Sequence, residues 1–98
     1  MEDFKIKDVL IEHSNALREL LRSSRAHGKE EEKHIKRAVG HVRMLLTAVD
    51  RHEPQDVPAD TKERAEKAIE YVESGDIDEG RAVLLEMGRI FDDFVHGR

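Results

Sequence analysis

The stretch Tyr71-Val72-Glu73-Ser74-Gly75-Asp76-Ile77-Asp78-Glu79 decides how this chain is read. Glycine readily takes the left-handed backbone that ends a helix, and an Asp three residues before a Glu can cap the start of the next one. One helix is therefore expected to stop near Ser74 and another to start at Asp76, so that the two fold back as a hairpin. Downstream, Val83, Leu84, Met87, Ile90, Phe91 and Phe94 recur at helical spacing and predict a helix over 76–96 that anchors the core. Upstream, Asp60 and Glu63 spell a second Asp-x-x-Glu box. It opens a helix over 60–74 whose apolar stripe, Ala65, Ala68, Ile69 and Val72, is thin.

Further toward the amino terminus, Pro54 and Pro58 mark a turn, because proline disfavours helical geometry in the residue before it. Before that turn, Ile35, Ala38, Val39, Val42, Leu45, Leu46 and Val49 form one stripe of a helix over 29–52, opened by the acidic run Glu30-Glu31-Glu32. Gly28 separates it from a helix over 3–27 that Asp3 can cap. Its apolar face carries Ile6, Val9, Leu10, Ala16, Leu17, Leu20 and Leu21, with His13 near the middle. Between Arg22 and His34 the only apolar residue is Ala26, so this hairpin tip is expected to project from the core. The pattern predicts an all-α fold: an antiparallel up-down four-helix bundle built from two helical hairpins, one domain over 1–98.

Composition agrees with helices and narrows the function. The chain has no cysteine and no tryptophan, and only four aromatic residues, which removes disulfides, thiolate metal sites and thiol nucleophiles. No stretch approaches the ~18 consecutive apolar residues of a membrane span. The opening Met-Glu-Asp-Phe-Lys lacks the basic and then apolar run of a signal peptide, so a cytoplasmic protein without a membrane partner is expected. Charge is uneven: residues 1–52 hold 11 Lys and Arg against 9 Asp and Glu, whereas 53–98 hold 6 against 13. The first half could attract an acidic partner, but interleaved glutamates and the lack of stacking aromatics argue against nucleic acid.

Six histidines are the compositional oddity, since imidazole is a common zinc and iron ligand. His34, His41 and His52 share a flank of one helix but lie ~10 and ~16 Å apart along it, too far for one metal to bridge. If the first hairpin turns near Gly28, residues whose numbers sum to about 55 stand at one level. This sets His13 opposite His41, with His52 and His96 at the far end near Glu53, Asp56, Asp92 and Asp93. A metal-binding bundle would draw on His13, His41, His52 and His96. The preferred reading makes His13 a hydrogen-bonded core residue and His27, His34 and His96 solvent-exposed, with no catalytic group, metal or cofactor. Glu31 and His34 form a single Glu-x-x-His pair where di-iron bundles use two. No Gly-x-Ser-x-Gly elbow or glycine-rich phosphate loop is present.

The segment Val9-Leu-Ile-Glu-His13-Ser-Asn-Ala-Leu-Arg-Glu-Leu-Leu21, with His52 in the next helix, resembles the opening of hemerythrin-like cation-binding domains. That resemblance implies a helical bundle holding an iron pair, with His13, His52 and Asp56 as ligands. The chain departs from the pattern where Pro54 interrupts the His-x-x-x-Glu helix and where the third helix supplies no histidine. Ile35-Lys-Arg-Ala-Val-Gly-His-Val-Arg-Met-Leu-Leu46 is similar to the first helix of copper-sensing helical repressors, which ligate copper through cysteine. Neither likeness is carried into the expected function.

Several residues fall off the core stripes and suggest a surface function. Phe4 and Ile11 lie one heptad apart on the back of the first helix, Met44 on the back of the second, and Gly40 faces away from its own core. Together they form a candidate partner surface. Gly88 borders the stripe of the last helix, where it could be a notch for a close neighbour. The expectation is a small helical protein-interaction or regulatory module, not an enzyme, whose partner is a second copy in a homodimer. The alternative is the hemerythrin-like metal bundle.

Overall fold

The computed structural model describes residues 5–97. Its helices are α1 (Lys7–Ser23), α2 (Lys29–Asp50), α3 (Thr61–Glu73) and α4 (Ile77–Val95), with one 3-10 turn at Pro54–Asp56 between α2 and α3. The fold is all-α, and no strand occurs among the described residues.

The α3–α4 turn forms as its residues require. Gly75 takes φ +92°, the Asp76 N–H donates to the Tyr71 carbonyl at 2.8 Å, and the Gly75 N–H donates to Val72 at 3.1 Å. These two bonds satisfy carbonyls that the end of α3 would otherwise leave open. The Asp76 carboxylate accepts from the Glu79 N–H at a long 3.4 Å, so that cap forms only loosely. The expected Asp60–Glu63 box does not form. Asp60 has φ +66° and makes no side-chain cap bond, because a capping side chain reaches its amides from extended backbone and the left-handed conformation turns it away. Thr61 Oγ1 instead donates to the Pro58 carbonyl at 2.7 Å, pinning the linker to the start of α3.

The first helix is shorter than the 3–27 expected. Asp3 and Phe4 lie outside the described residues, and α1 begins at Lys7. It ends at Ser23, where Arg25 and Ala26 close turns onto Arg22 and Ser23 and no residue from 24 to 33 is buried. Without apolar burial, continuing a helix there gains too little to offset its ordering cost. Gly28, at φ +61°, lies directly before α2. The other bounds fall within two residues of expectation.

Contacts run from α1 to α2, α2 to α3, α3 to α4 and back to α1, the last seam being the thinnest. Ile6, Val9, Leu20, Leu45, Leu84 and Met87 are the largest fully buried side chains. The α2–α3 pair is antiparallel, since Lys62 meets Asp50 at 3.0 Å and Arg43 meets Glu73 at 2.8 Å. The result is a rod of two hairpins, 42 × 22 × 22 Å. Two residues assigned to the core lie at its margin: Leu21 is 46% exposed near the projecting tip, and Phe94 is 40% exposed in the last turn of α4. Leu20 and Ser23 on either side of Leu21 stay buried, so Leu21 is exposed by its angle on the helix.

Candidate interaction surface

The seam between α1 and α2 is tied by three carboxylate–imidazole pairs. Glu19 Oε1 accepts from His34 Nδ1 at 2.7 Å, Glu12 Oε1 from His41 Nδ1 at 2.8 Å, and Asp8 Oδ1 from His52 Nε2 at 2.8 Å. An ionised carboxylate only accepts, so each bonded ring nitrogen carries the hydrogen. Asp8, Glu12 and Glu19 share a face because their spacings of four and seven residues bring them round the helix to nearly the same angle. The pairings 12 with 41 and 19 with 34 also make α1 and α2 antiparallel.

Glu19 is the most enclosed of these carboxylates, at 7% exposure. Burial pushes its carboxyl up, but the His34 hydrogen bond and the charges of His34, Arg22 and Arg37 outweigh it and hold the group below its ordinary value. Asp8 behaves alike: burial raises it, and the His52 and Val9 hydrogen bonds with the His52 charge bring it below the usual aspartate value. These pairs correct two expectations. His34 is half-buried and bonded rather than solvent-exposed, and His41 turns to Glu12 rather than to His13.

His13 points to α4. Its Nε2–H donates to the Leu84 carbonyl at 2.6 Å, and its ring meets the Phe91 ring edge-on at 5.2 Å between centroids. A side chain can reach a carbonyl within a helix only where the neighbouring turn is bare, and Gly88 provides that gap. A Cβ there would stand 2.9 Å from His13 Cε1. Burial holds the imidazole below its ordinary value, with the Leu84 bond opposing that shift. His13 and His96 line one shallow cleft with Ser14, Gly88 and Asp92, while His96 Nδ1 bonds within its own helix, to the Asp92 carbonyl at 2.8 Å. His52 is held at Asp8 instead. Among the described residues no three His, Asp or Glu side chains converge as a metal site would require.

The partner-surface residues are brought together in part. Ile11 of α1 and Met44 of α2, 47% and 53% exposed, line a single depression with Asp8, Glu12, Thr47, Ala48 and Arg51. It opens on the outer side of the α1–α2 hairpin, away from α3 and α4. Gly40 is one turn from Met44 and has nothing within 4 Å of where a Cβ would sit. Phe4 lies outside the described residues. Among the described residues Arg51 is the one cation lining this depression; Lys33 and Arg37 line a separate groove with Lys29, Glu32 and Lys36.

Sequence reasoning missed the acidic half of the seam. Asp8, Glu12 and Glu19 repeat at helical spacing, and that repeat, set beside the His34, His41 and His52 flank, was the available signal. It also missed Gly80, a second notch, where a Cβ would meet Val72 Cγ2 at 2.5 Å.

Compared with models of protein families, with curated proteins and with solved structures, the chain matches none.

Proposed function

We propose that this chain is a helical interaction module that associates with further copies of itself through the outer face of the α1–α2 hairpin. The observation that carries the reading is the convergence of Ile11 and Met44, two half-exposed apolar side chains from different helices, in one depression. A scattered exposed apolar residue needs no explanation; a pair meeting across a helix seam gives a partner something to bury. Gly40 beside it offers a bare backbone that a neighbouring chain can approach closely. On this reading the seam pairs have a supporting role: they hold α1 and α2 in one register and so keep the two halves of the apolar centre together. The module binds rather than catalyses, and it works in the cytoplasm, a setting its lack of cysteine fits.

The test is association measured by sedimentation velocity on wild type and on Ile11→Ser/Met44→Ser. Both residues are about half exposed, so the double variant should fold, which circular dichroism checks. Wild type is expected above the 11.3 kDa of one chain, with the variant shifted toward it. Equal association of the two would remove this face from the reading.

A further inference from the structure

His13 is satisfied on one side only. Its Nε2–H goes to the Leu84 carbonyl, so in the neutral ring Nδ1 keeps a lone pair and can only accept. Burial disfavours a second proton, which leaves that lone pair available at neutral pH. Nδ1 has no hydrogen-bond partner among the described residues, and none of their side-chain nitrogens or oxygens is both fully buried and unpartnered. The nitrogen therefore reaches solvent, and the open space that His13 lines is the cleft between α1 and α4. A ring only 7% exposed thus turns its one free polar atom into a cleft.

The rest of the cleft suits a small molecule. Its volume is 380 Å³, and sites for small ligands run from about 300 to 1,000 Å³, mostly apolar with a few placed polar groups. Leu10 and Val95 are apolar walls, and the Phe91 ring stands edge-on to the imidazole at 5.2 Å. Gly88, kept bare for the imidazole, adds no side chain to the lining. The donor set does not fit a metal: His96 Nδ1 bonds the Asp92 carbonyl, and no group of three His, Asp or Glu forms among the described residues. The Asp92 carboxylate repels an anion, and the apolar walls make it costly to strip water from an ammonium. What remains is a neutral donor. A flat ring buries the most against Phe91 and the imidazole, since aromatic pairs favour offset or edge-on contact.

We propose that this cleft binds a small neutral aromatic molecule carrying one hydroxyl or N–H group, of the phenol or indole kind, which donates to His13 Nδ1 and lays its ring among Leu10, Phe91 and Val95. The site is separate from the α1–α2 face of the proposed self-association. The α1–α4 seam is also the thinnest of the four, and the ligand touches both of its helices, so binding braces the seam and raises the melting temperature.

The test follows the ring nitrogens and backbone amides of isotope-labelled protein by NMR at neutral pH, during titration with phenol and, separately, with toluene, which has nearly the same shape but no donor. Phenol is expected to move the His13 Nδ1 signal and the Gly88 and Val95 amides along one saturable curve. It should bind at least about tenfold more tightly than toluene, which displaces water from Nδ1 and leaves that nitrogen unpaired. In His13→Leu the preference for phenol should vanish, and the comparison of the two ligands on wild type decides even where that variant does not fold. No saturable shift with phenol, equal binding of phenol and toluene, shifts confined to residues outside the cleft, or a preference that survives in folded His13→Leu would each overturn the site. All of these outcomes leave the proposed self-association standing.

Discussion

Replacing Gly88 with Ala should destabilise the protein and, in a His13→Ala background, stabilise it. In an exposed helix interior Gly→Ala gains up to ~1 kcal/mol from propensity alone. Here the new methyl would lie 2.9 Å from His13 Cε1, inside ordinary contact. The ring can retreat only by lengthening its 2.6 Å bond to the Leu84 carbonyl, and His13 is 7% exposed, so water does not readily replace that bond. A buried donor left unsatisfied costs ~1–3 kcal/mol. Disturbing the edge-on contact with Phe91 adds ~0.5 kcal/mol or more. Against the ~1 kcal/mol gain, the net loss for Gly88→Ala alone is about 1 kcal/mol. Without the imidazole the clash is gone and the propensity gain remains, so the same change should stabilise His13→Ala by up to ~1 kcal/mol. The coupling between the two sites is then about 2 kcal/mol, well above the error expected for independent positions. Urea denaturation of wild type, the two single variants and the double variant measures it from the midpoints at constant slope. Gly88→Ala raising stability equally in both backgrounds would refute the claim that Gly88 is kept bare for His13.

Acid should weaken the fold through groups on two seams. Folded His13 takes its proton less readily than the unfolded value of 6.5, so its contribution is complete at neutral pH and is lost as pH falls below that value. Asp92 and His96 line the same cleft, so the measurement is the wild-type minus His13→Leu stability difference, which should shrink between about pH 7 and pH 5. Glu19 and Asp8, lowered from 4.5 and 3.8, contribute stability that is complete above those values and disappears as pH falls through their folded ones. Glu19→Gln should accordingly flatten the acid limb of a stability profile. Gly80→Ala should cost ~1–3 kcal/mol in thermal or urea melts, because its Cβ would press on Val72 Cγ2 with the Ala68 carbonyl 3.4 Å away. Asp60→Gly should raise the melting temperature, since left-handed backbone suits glycine and no cap is lost; Asp60→Ala should lower it.

What the chain reveals before folding is mostly local. Ser74-Gly75-Asp76 announces its turn because the conformation it demands belongs to glycine itself, and the apolar stripes of α2 and α4 name their own buried faces. Asp60 shows where local reading stops: the same Asp-x-x-Glu spelling that precedes α4 also precedes α3, but the Pro58 linker delivers Asp60 in a left-handed conformation that disarms it. The histidine seam failed for a related reason. Summing residue numbers about the hairpin turn finds the right level, and 13 with 41 differs by one from the observed 12 with 41. One residue along a helix, however, is 100° around it. His13 therefore faces α4 while Glu12 faces α2, and only the placement of α4 distinguishes them. Ile11 and Met44 were identifiable singly as off-stripe residues, but their meeting depends on the α1–α2 register that the three pairs set.

The most direct test of the account is the mass of the wild-type chain in solution, followed by sedimentation velocity from low to high micromolar concentration. Self-association through the α1–α2 face predicts a weight-average mass that climbs above 11.3 kDa with concentration for wild type and stays lower for Ile11→Ser/Met44→Ser. A mass fixed at 11.3 kDa at every concentration would contradict the proposed self-association.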